Sequence, residues 1–328
     1  MDTCQYGGVG SAIHAGQIMP PVILLMGPTA AGKTDLALEL VQTFPLEIIS
    51  VDSAMVYRGL DIGTGKPSCE ILARVPHHLV NIIEPSERYS AGQFVRDVER
   101  LIVAIRARNK VPILVGGTML YFKALTQGLA DLPEANPTVR AELNERASRI
   151  GWPALHAELM QIDPIAAQKI LPHDAQRIQR ALEVCRLSGR RLSELQAEGV
   201  RQTPSHEYVP LVWSPTDRAL LYERIAARFA LMMARGFLAE ARCLFARKDL
   251  SPDLPALRAV GYRQLFGYFS GIYSQEEAVR QAIVATRHLA RRQLIWLRAS
   301  PAFEWFDSLE LSANARIKER VANCLQVR

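Results

Sequence analysis

Residues 27–34 are Gly27, Pro28, Thr29, Ala30, Ala31, Gly32, Lys33 and Thr34, a complete G-x-x-x-x-G-K-[ST] string. A string of this kind cradles phosphate: backbone N–H groups and the positive end of the following helix converge on an anion. Lys33 would reach the outer phosphate, and Thr34 could ligate Mg²⁺. An ordinary Gly-rich turn would leave the Lys-Thr pair unexplained. The string therefore implies a diphosphate or triphosphate without saying which molecule carries it. Asp52 follows the apolar run Leu46-Glu-Ile-Ile-Ser-Val51. A carboxylate there can bind Mg²⁺ through water or act as a general base on an incoming nucleophile. The ordinary alternative is a cap on the turn that follows. Gly116, Gly117 and Thr118 follow a second apolar run. Paired glycines let the backbone approach a ligand closely, and Thr118 offers a hydroxyl to a phosphate oxygen or a base. Lys66 is either a further cation for phosphate or a solvated lysine.

The elements that must position these residues are readable from apolar patterning. Val22–Met26, Leu46–Val51, Leu79–Ile83 and Val111–Val115 read as strands, with helical patterns at Asp35–Thr43 and Ala91–Arg108 between some of them. Strands alternating with helices predict an α/β fold: a P-loop NTPase-like parallel sheet flanked by helices. Ligands of such sheets bind beyond the C-terminal strand ends, where the phosphate loop, Asp52 and Gly116–Thr118 all fall. A motor ATPase or GTPase would more often end the strand Val111–Val115 in a metal-binding Asp. Its lack counts against energy-coupled hydrolysis and leaves a small-molecule kinase open. Asp131-Leu-Pro-Glu-Ala-Asn-Pro137 is a turn-rich boundary. The reading that follows has a helical insertion at 131–195 and a core of 21–130 with 196–328. One more short apolar segment, Tyr208–Trp213, precedes helices from Asp217 to about Arg298. Residues 1–20 read as a flexible tail, lacking the pattern of a secretory signal.

Composition narrows the class. The chain has 328 residues, 49% of them hydrophobic, and can bury a large core. No apolar run approaches the ~20 residues of a membrane span. Cys4, Cys69, Cys185, Cys243 and Cys324 are scattered, with no metal-ligand spacing and no disulfide framework. A cytoplasmic location is expected. The formal net charge is +6, and Arg280 to Arg298 holds five arginines and no acid. A basic face of this kind suits phosphate backbones, although a charge run is commonly just a solvated helix surface.

Eight motifs, in order, resemble the bacterial tRNA dimethylallyltransferases. They are Gly27–Thr34, Asp52-Ser-Ala-Met-Val-Tyr57, Gly63-Thr-Gly-Lys-Pro67, His77-His-Leu79, Gly116-Gly-Thr-Met-Leu-Tyr121, Asp174-Ala-Gln-Arg-Ile-Gln-Arg180, Arg258-Ala-Val-Gly-Tyr-Arg263 and Arg291-Arg-Gln-Leu-Ile-Trp-Leu-Arg298. The resemblance runs from about residue 22 to about residue 306. It implies transfer of a dimethylallyl group from dimethylallyl diphosphate to the exocyclic amine of the adenosine 3′ of the anticodon. The tRNAs concerned read codons beginning with U. Mg²⁺ is the implied cofactor, and the phosphate loop would hold a leaving group.

Asp52 and Thr118 are then the expected catalytic residues. Thr34 would hold the metal, with Asp52 through water. Arg224 and Arg228, four apart on one helical face, are candidates to complete the diphosphate clamp. By resemblance, the tRNA-facing residues are Asp52, Ser53, Ala54, Met55, Thr118 and Arg140, then Gln176, Arg177, Ile178, Gln179 and Arg180. Arg258, Ala259, Val260, Gly261, Tyr262 and Arg263 follow. Arg291, Arg292, Gln293, Leu294, Ile295, Trp296, Leu297 and Arg298 complete them. Trp296 either stacks on a base or packs in a core. The insertion would grip the anticodon stem-loop. Eukaryotic relatives carry a C-terminal zinc finger whose Cys/His spacing is not found here, so no zinc is expected. His77 and His78 read as structural, and a monomer is expected.

Overall fold

The computed structural model describes residues 20–198, 206–251 and 254–326. The expected tail lies outside the described residues except for Pro20, as does 199–205 of the polar connector before Tyr208. The chain divides into two compact units, one running up to Tyr121 and again from His206, the other starting at Phe122.

The first unit is built on a parallel sheet, six-stranded among the described residues, in the order β3-β2-β4-β1-β5-β6. The strands are β1 (Val22–Met26), β2 (Leu46–Val51), β3 (His77–His78), β4 (Val111–Gly116), β5 (Tyr208–Ser214) and β6 (Glu304–Asp307). The flanking helices are α1 (Lys33–Thr43), α2 (Cys69–Arg74) and α3 (Ala91–Arg106), with α4 (Met119–Gln127) containing the point of division. Strand β1 pairs with β4 on one side and β5 on the other. The strand order reverses there, which opens a crevice beyond the C-terminal ends.

The central strands are buried on both faces and so read as continuous apolar runs. Ile23, Leu25, Ile48, Ile113 and Leu211 pack with Leu36 and Leu40 of α1 and with Ile317 and Val321 of a C-terminal helix. The alternate residues Leu24, Ile49, Leu114 and Val212 point to the other face. Helix α3 buries Phe94, Val98, Ile102 and Ile105, one stripe at helical spacing. Its Ser90 cap accepts from Gln93 N at 3.1 Å.

The expected strand Leu79–Ile83 does not form. The strand at this edge is His77–His78, and Leu79 and Asn81 adopt φ of 63° and 56°. Two left-handed residues cannot continue an extended ladder. The segment instead bonds the turn after β2, through Asn81 N to Met55 O at 3.1 Å and Ile82 N to Val56 O at 2.8 Å. Strand β6 escaped the sequence reading.

The second unit is helical: α5 (Pro137–Ile150), α6 (Trp152–Ile162), α7 (Pro164–Gln168), α8 (Ala175–Ser188) and α9 (Leu192–Ala197). Leu143, Leu155, Leu159, Ile178, Leu182 and Leu192 form its core. Pro153 and Pro164 sit in first helical turns, where a missing N–H costs nothing. Asn136, Asp163 and Asp174 cap α5, α7 and α8. After β5 the first unit resumes with α10 (Arg218–Ala234), α11 (Phe237–Phe245), α12 (Tyr262–Phe269), α13 (Gln275–Arg298) and α14 (Ala313–Gln326).

Candidate active site

A cavity of about 930 Å³ opens at the C-terminal strand ends. Thr29, Gly32, Lys33, Thr34, Asp52, Gly117, Trp213, Arg224, Arg228 and Gln293 are among the residues that line it. The sequence-predicted phosphate loop, Asp52, Arg224 and Arg228 therefore meet in one space.

The loop is shaped by its neighbours. A Cβ on Gly27 would lie 2.2 Å from the Trp213 carbonyl of β5, so only glycine fits there. Gly32, at φ 87°, caps α1 without a side-chain acceptor for the first-turn N–H groups. Ser90 and Asp217 do supply such an acceptor for α3 and α10. An anion is the natural partner of those free donors.

Lys33 Nζ donates to the Pro28 carbonyl at 2.7 Å. Burial pulls its pKa down to about 7; the Arg228 charge adds to this and Asp52 opposes it. Arg228 Nη2 donates to the Thr64 carbonyl at 3.0 Å. Its own pKa is lowered by burial and supported by Asp52. Two cations held close together in a poorly hydrated space favour an incoming polyanion.

Asp52 Oδ1 accepts the N–H groups of Ala54 at 2.8 Å and Met55 at 3.3 Å. The turn cap is thus real, and it engages one oxygen only. Oδ2 has no hydrogen bond among the described residues. Thr118 Oγ1 accepts Ser53 N–H at 3.0 Å, and the Gly117 and Thr118 N–H groups donate to Val51 O at 3.2 and 3.1 Å. These bonds join the end of β4 to the turn that carries Asp52.

Residues that sequence reasoning missed hold the walls. Glu240 of α11 accepts the N–H groups of Asp61, Ile62 and Gly63 at 3.0, 2.7 and 3.0 Å, and the Tyr262 hydroxyl at 2.6 Å. Burial and the Glu240 charge push the Tyr262 phenol far above its usual range. Lys66, expected either to add a cation for phosphate or to be solvated, is not solvated. Its Nζ donates to the Tyr57 carbonyl, Asp61 Oδ1 and Asn81 Oδ1 at 2.5, 2.7 and 2.6 Å. With its three donors used and its side chain 3% exposed, it ties the loop together. His77 and His78 are likewise tied, to the Val75 carbonyl at 2.7 Å and Glu47 at 2.9 Å.

The remaining residues expected to face RNA divide by exposure. Arg258, Arg263, Arg291, Arg292, Ile295 and Arg298 are exposed. Ala259, Val260 and Trp296 are half-buried, and the Trp296 ring centroid lies 5.7 Å from that of Phe303. Gly261, Tyr262, Gln293, Leu294 and Leu297 are buried. Gln293 Oε1 accepts Thr29 N–H at 2.9 Å, and its Nε2 donates to Gly117 O at 2.8 Å. Within the helical unit, Gln176 and Arg177 are exposed and Ile178 is in the core. Arg140 grips the buried Glu183 through two bonds of 2.8 and 3.0 Å, and Arg180 adds a third at 2.7 Å.

Among the described residues no three His, Cys, Asp or Glu side chains gather as a metal cage. The oxygen donors on the cavity wall include Thr34 and Asp52. This set suits Mg²⁺ of the kind that keeps waters and is carried mainly by substrate phosphates. No helix among the described residues is long and apolar enough to cross a membrane.

Known proteins resemble this chain over most of its length. The IPP transferase family model matches residues 55–300. A tRNA dimethylallyltransferase of Bordetella petrii is 54% identical, covering 93% of this chain and 98% of that protein. One from Chromobacterium violaceum is 52% identical over 86% of this chain and 87% of its own length. Among solved structures, the tRNA isopentenylpyrophosphate transferase of Bacillus halodurans superposes with a TM-score of 0.68 at 34% identity, covering 94% of this chain and 97% of that one. A eukaryotic dimethylallyltransferase acting on tRNA gives 0.77 at 26%, covering 93% and 79%. With the phosphate loop, the parallel sheet and its C-terminal helices arranged as above, the chain belongs to the IPP transferase family.

Proposed function

We propose that the chain transfers a dimethylallyl group from dimethylallyl diphosphate to the N6 amine of the adenosine immediately 3′ of the anticodon. Its substrates are tRNAs that read codons beginning with U, and diphosphate is released. The observation that carries this reading is one cavity holding Asp52 together with Lys33, Arg224 and Arg228. Relatives 52–54% identical to this chain are named tRNA dimethylallyltransferases, which favours this reading over a small-molecule kinase.

The adenine amine is a poor nucleophile because its lone pair is delocalised into the ring. Asp52 accepts a hydrogen bond from that amine and takes its proton as the new C–N bond forms. The C–O bond to diphosphate breaks at the same carbon. Lys33, Arg228 and the N–H groups that open α1 stabilise the charge growing on the departing oxygen. Thr34 and, through water, Asp52 would hold Mg²⁺, which when bound neutralises further charge on the diphosphate. An anticodon-loop base must leave its stack to enter the cavity, at a cost of a few kcal/mol. The exposed arginines of α13 offer phosphate contacts for the RNA that delivers it, and the helical unit grips the anticodon stem-loop. The enzyme acts as a monomer in the cytoplasm.

Incubation with labelled dimethylallyl diphosphate and unmodified tRNA tests the reading. The label should appear on N6 of that adenosine in step with diphosphate release. No transfer, beside ATP-dependent phosphorylation of a metabolite, would overturn it. Efficient transfer to AMP with no preference for tRNA would reassign the acceptor to free adenylates.

A further inference from the structure

We propose that Gln293 is a positioning residue that sets the half of the site holding diphosphate against the half holding the acceptor amine. The proposal rests on the transfer reaction above. The resemblance makes the whole motif Arg291-Arg-Gln-Leu-Ile-Trp-Leu-Arg298 RNA-facing, but its members differ in exposure. Arg291, Arg292 and Ile295 are exposed, whereas Gln293 is 6% exposed and reaches into the cavity wall.

Its carboxamide spans two loops. Oε1 accepts Thr29 N–H in the phosphate loop at 2.9 Å, and Nε2 donates to Gly117 O after β4 at 2.8 Å. The partners themselves fix the orientation of the amide, since an N–H needs an oxygen and a carbonyl needs an N–H. From Gly117 the bonding continues. The Gly117 and Thr118 N–H groups hold Val51 O, and Thr118 Oγ1 holds Ser53 N–H. Residues 51 and 53 flank Asp52, so a hydrogen-bonded path leads from the phosphate loop to the backbone on either side of the general base.

The approach is close. A Cβ on Gly117 would lie 2.4 Å from Gln293 Nε2, so glycine is needed for the amide to fit. The helix behind it is fixed by packing: Ala290 and Leu294 of α13 meet Leu221 and Ile225 of α10, with Ala30 of the phosphate loop against the same cluster. Only an amide meets both partners. A carboxylate cannot donate to Gly117 O, and a thioether cannot donate and accepts only weakly. Group transfer depends on the reacting atoms lying near 3–3.5 Å apart, so a support joining leaving group and base acts on the rate of the step itself.

The test uses the full-length enzyme with Gln293→Met and Gln293→Glu. Four quantities are read: single-turnover transfer at saturating substrates, KM for dimethylallyl diphosphate, calorimetric affinity for inorganic diphosphate, and tRNA affinity by gel shift. For Gln293→Met, transfer at saturation should fall about 10- to 100-fold and diphosphate affinity several-fold, with tRNA affinity unchanged. Gln293→Glu should not rescue the rate. If Gln293→Met does not fold, Gly117→Ala displaces the same amide and should show the same split. A drop in tRNA affinity with transfer at saturation intact would overturn the proposal, making Gln293 an RNA contact. Wild-type behaviour in all four readings would overturn it as well. A wild-type enzyme that does not prenylate tRNA would sink the reaction instead, while the diphosphate titration would still read Gln293's hold on the loop.

Discussion

Asp52 Oδ1 caps the turn after β2 while Oδ2 stays free of that turn, so an alanine there would remove a base and a cap together. Asp52→Asn separates them, since its amide oxygen can still accept both N–H groups. Single-turnover transfer should fall about 10²- to 10⁴-fold, while the thermal midpoint and tRNA affinity hold. Lys33→Met should weaken inorganic diphosphate by about 10- to 100-fold, the worth of a charge-assisted hydrogen bond, and calorimetry would show it. Asp52, Lys33 and Thr34 were legible because each is adjacent in sequence to a strand end or a helix start. The bridging role of Gln293, and Glu240 altogether, were not, because the loop N–H groups they hold lie 264 and 177–179 residues away. A trace of Gln293 was nonetheless present. It falls in the apolar stripe of Ala290, Leu294 and Leu297, where a polar side chain must find a buried partner.

At the scale of elements, the loop from Asp61 to Lys66 is an irregular wall of the site held by several side chains. Glu240 of α11 satisfies three successive N–H groups, and Arg228 of α10 reaches the Thr64 carbonyl in the same loop. Glu240→Ala should cost about 1–3 kcal/mol, because it strands the hydroxyl of the buried Tyr262 and the part-buried N–H groups of Ile62 and Gly63, and denaturant titration measures it. Diphosphate affinity should drop with it as Arg228 loses its anchor. The strands β1, β2 and β4 were readable as buried apolar runs. Leu79–Ile83 misled because Leu79 and Asn81 take a left-handed backbone, which periodicity cannot see. Strand β6 is short, and Glu304-Trp-Phe-Asp307 carries too little pattern to stand out.

At the scale of the molecule, the sheet has a chemical end and a structural end. Beside the N-terminal ends of β2 and β4, Glu47 is 5% exposed and accepts from Arg108 at 3.0 and 2.6 Å, His78 at 2.9 Å and Lys110 at 3.3 Å. The Arg108 bonds, opposed by burial and aided by His78 and Lys110, hold its pKa at about 2. A lowered carboxylate pKa stabilises the fold above the ordinary value of 4.5, and this is lost as pH falls from there toward 2. Glu47→Gln should therefore cost about 2 kcal/mol at neutral pH, allowing for the half-exposed arginine. The gap from wild type should close in acid, as denaturation at several pH values would show. The α/β core and the helical character of the insertion were legible at this scale from alternation and proline spacing. The bonds that join distant segments were not, since a single sequence carries no signal for pairing across more than a hundred residues.

The 264-residue separation between Thr29 and Gln293 also has a meaning in time. At typical rates of synthesis, the phosphate loop leaves the ribosome roughly 10–50 s before its clamp does. Strand β5, the second neighbour of β1, is made in that interval, and α13 comes after it. A nascent chain stalled before residue 275 should therefore bind inorganic diphosphate poorly, and a stalled-complex binding assay would detect it. Translation itself then works as a safety catch: an allylic diphosphate meets a working site only after α13 has been made.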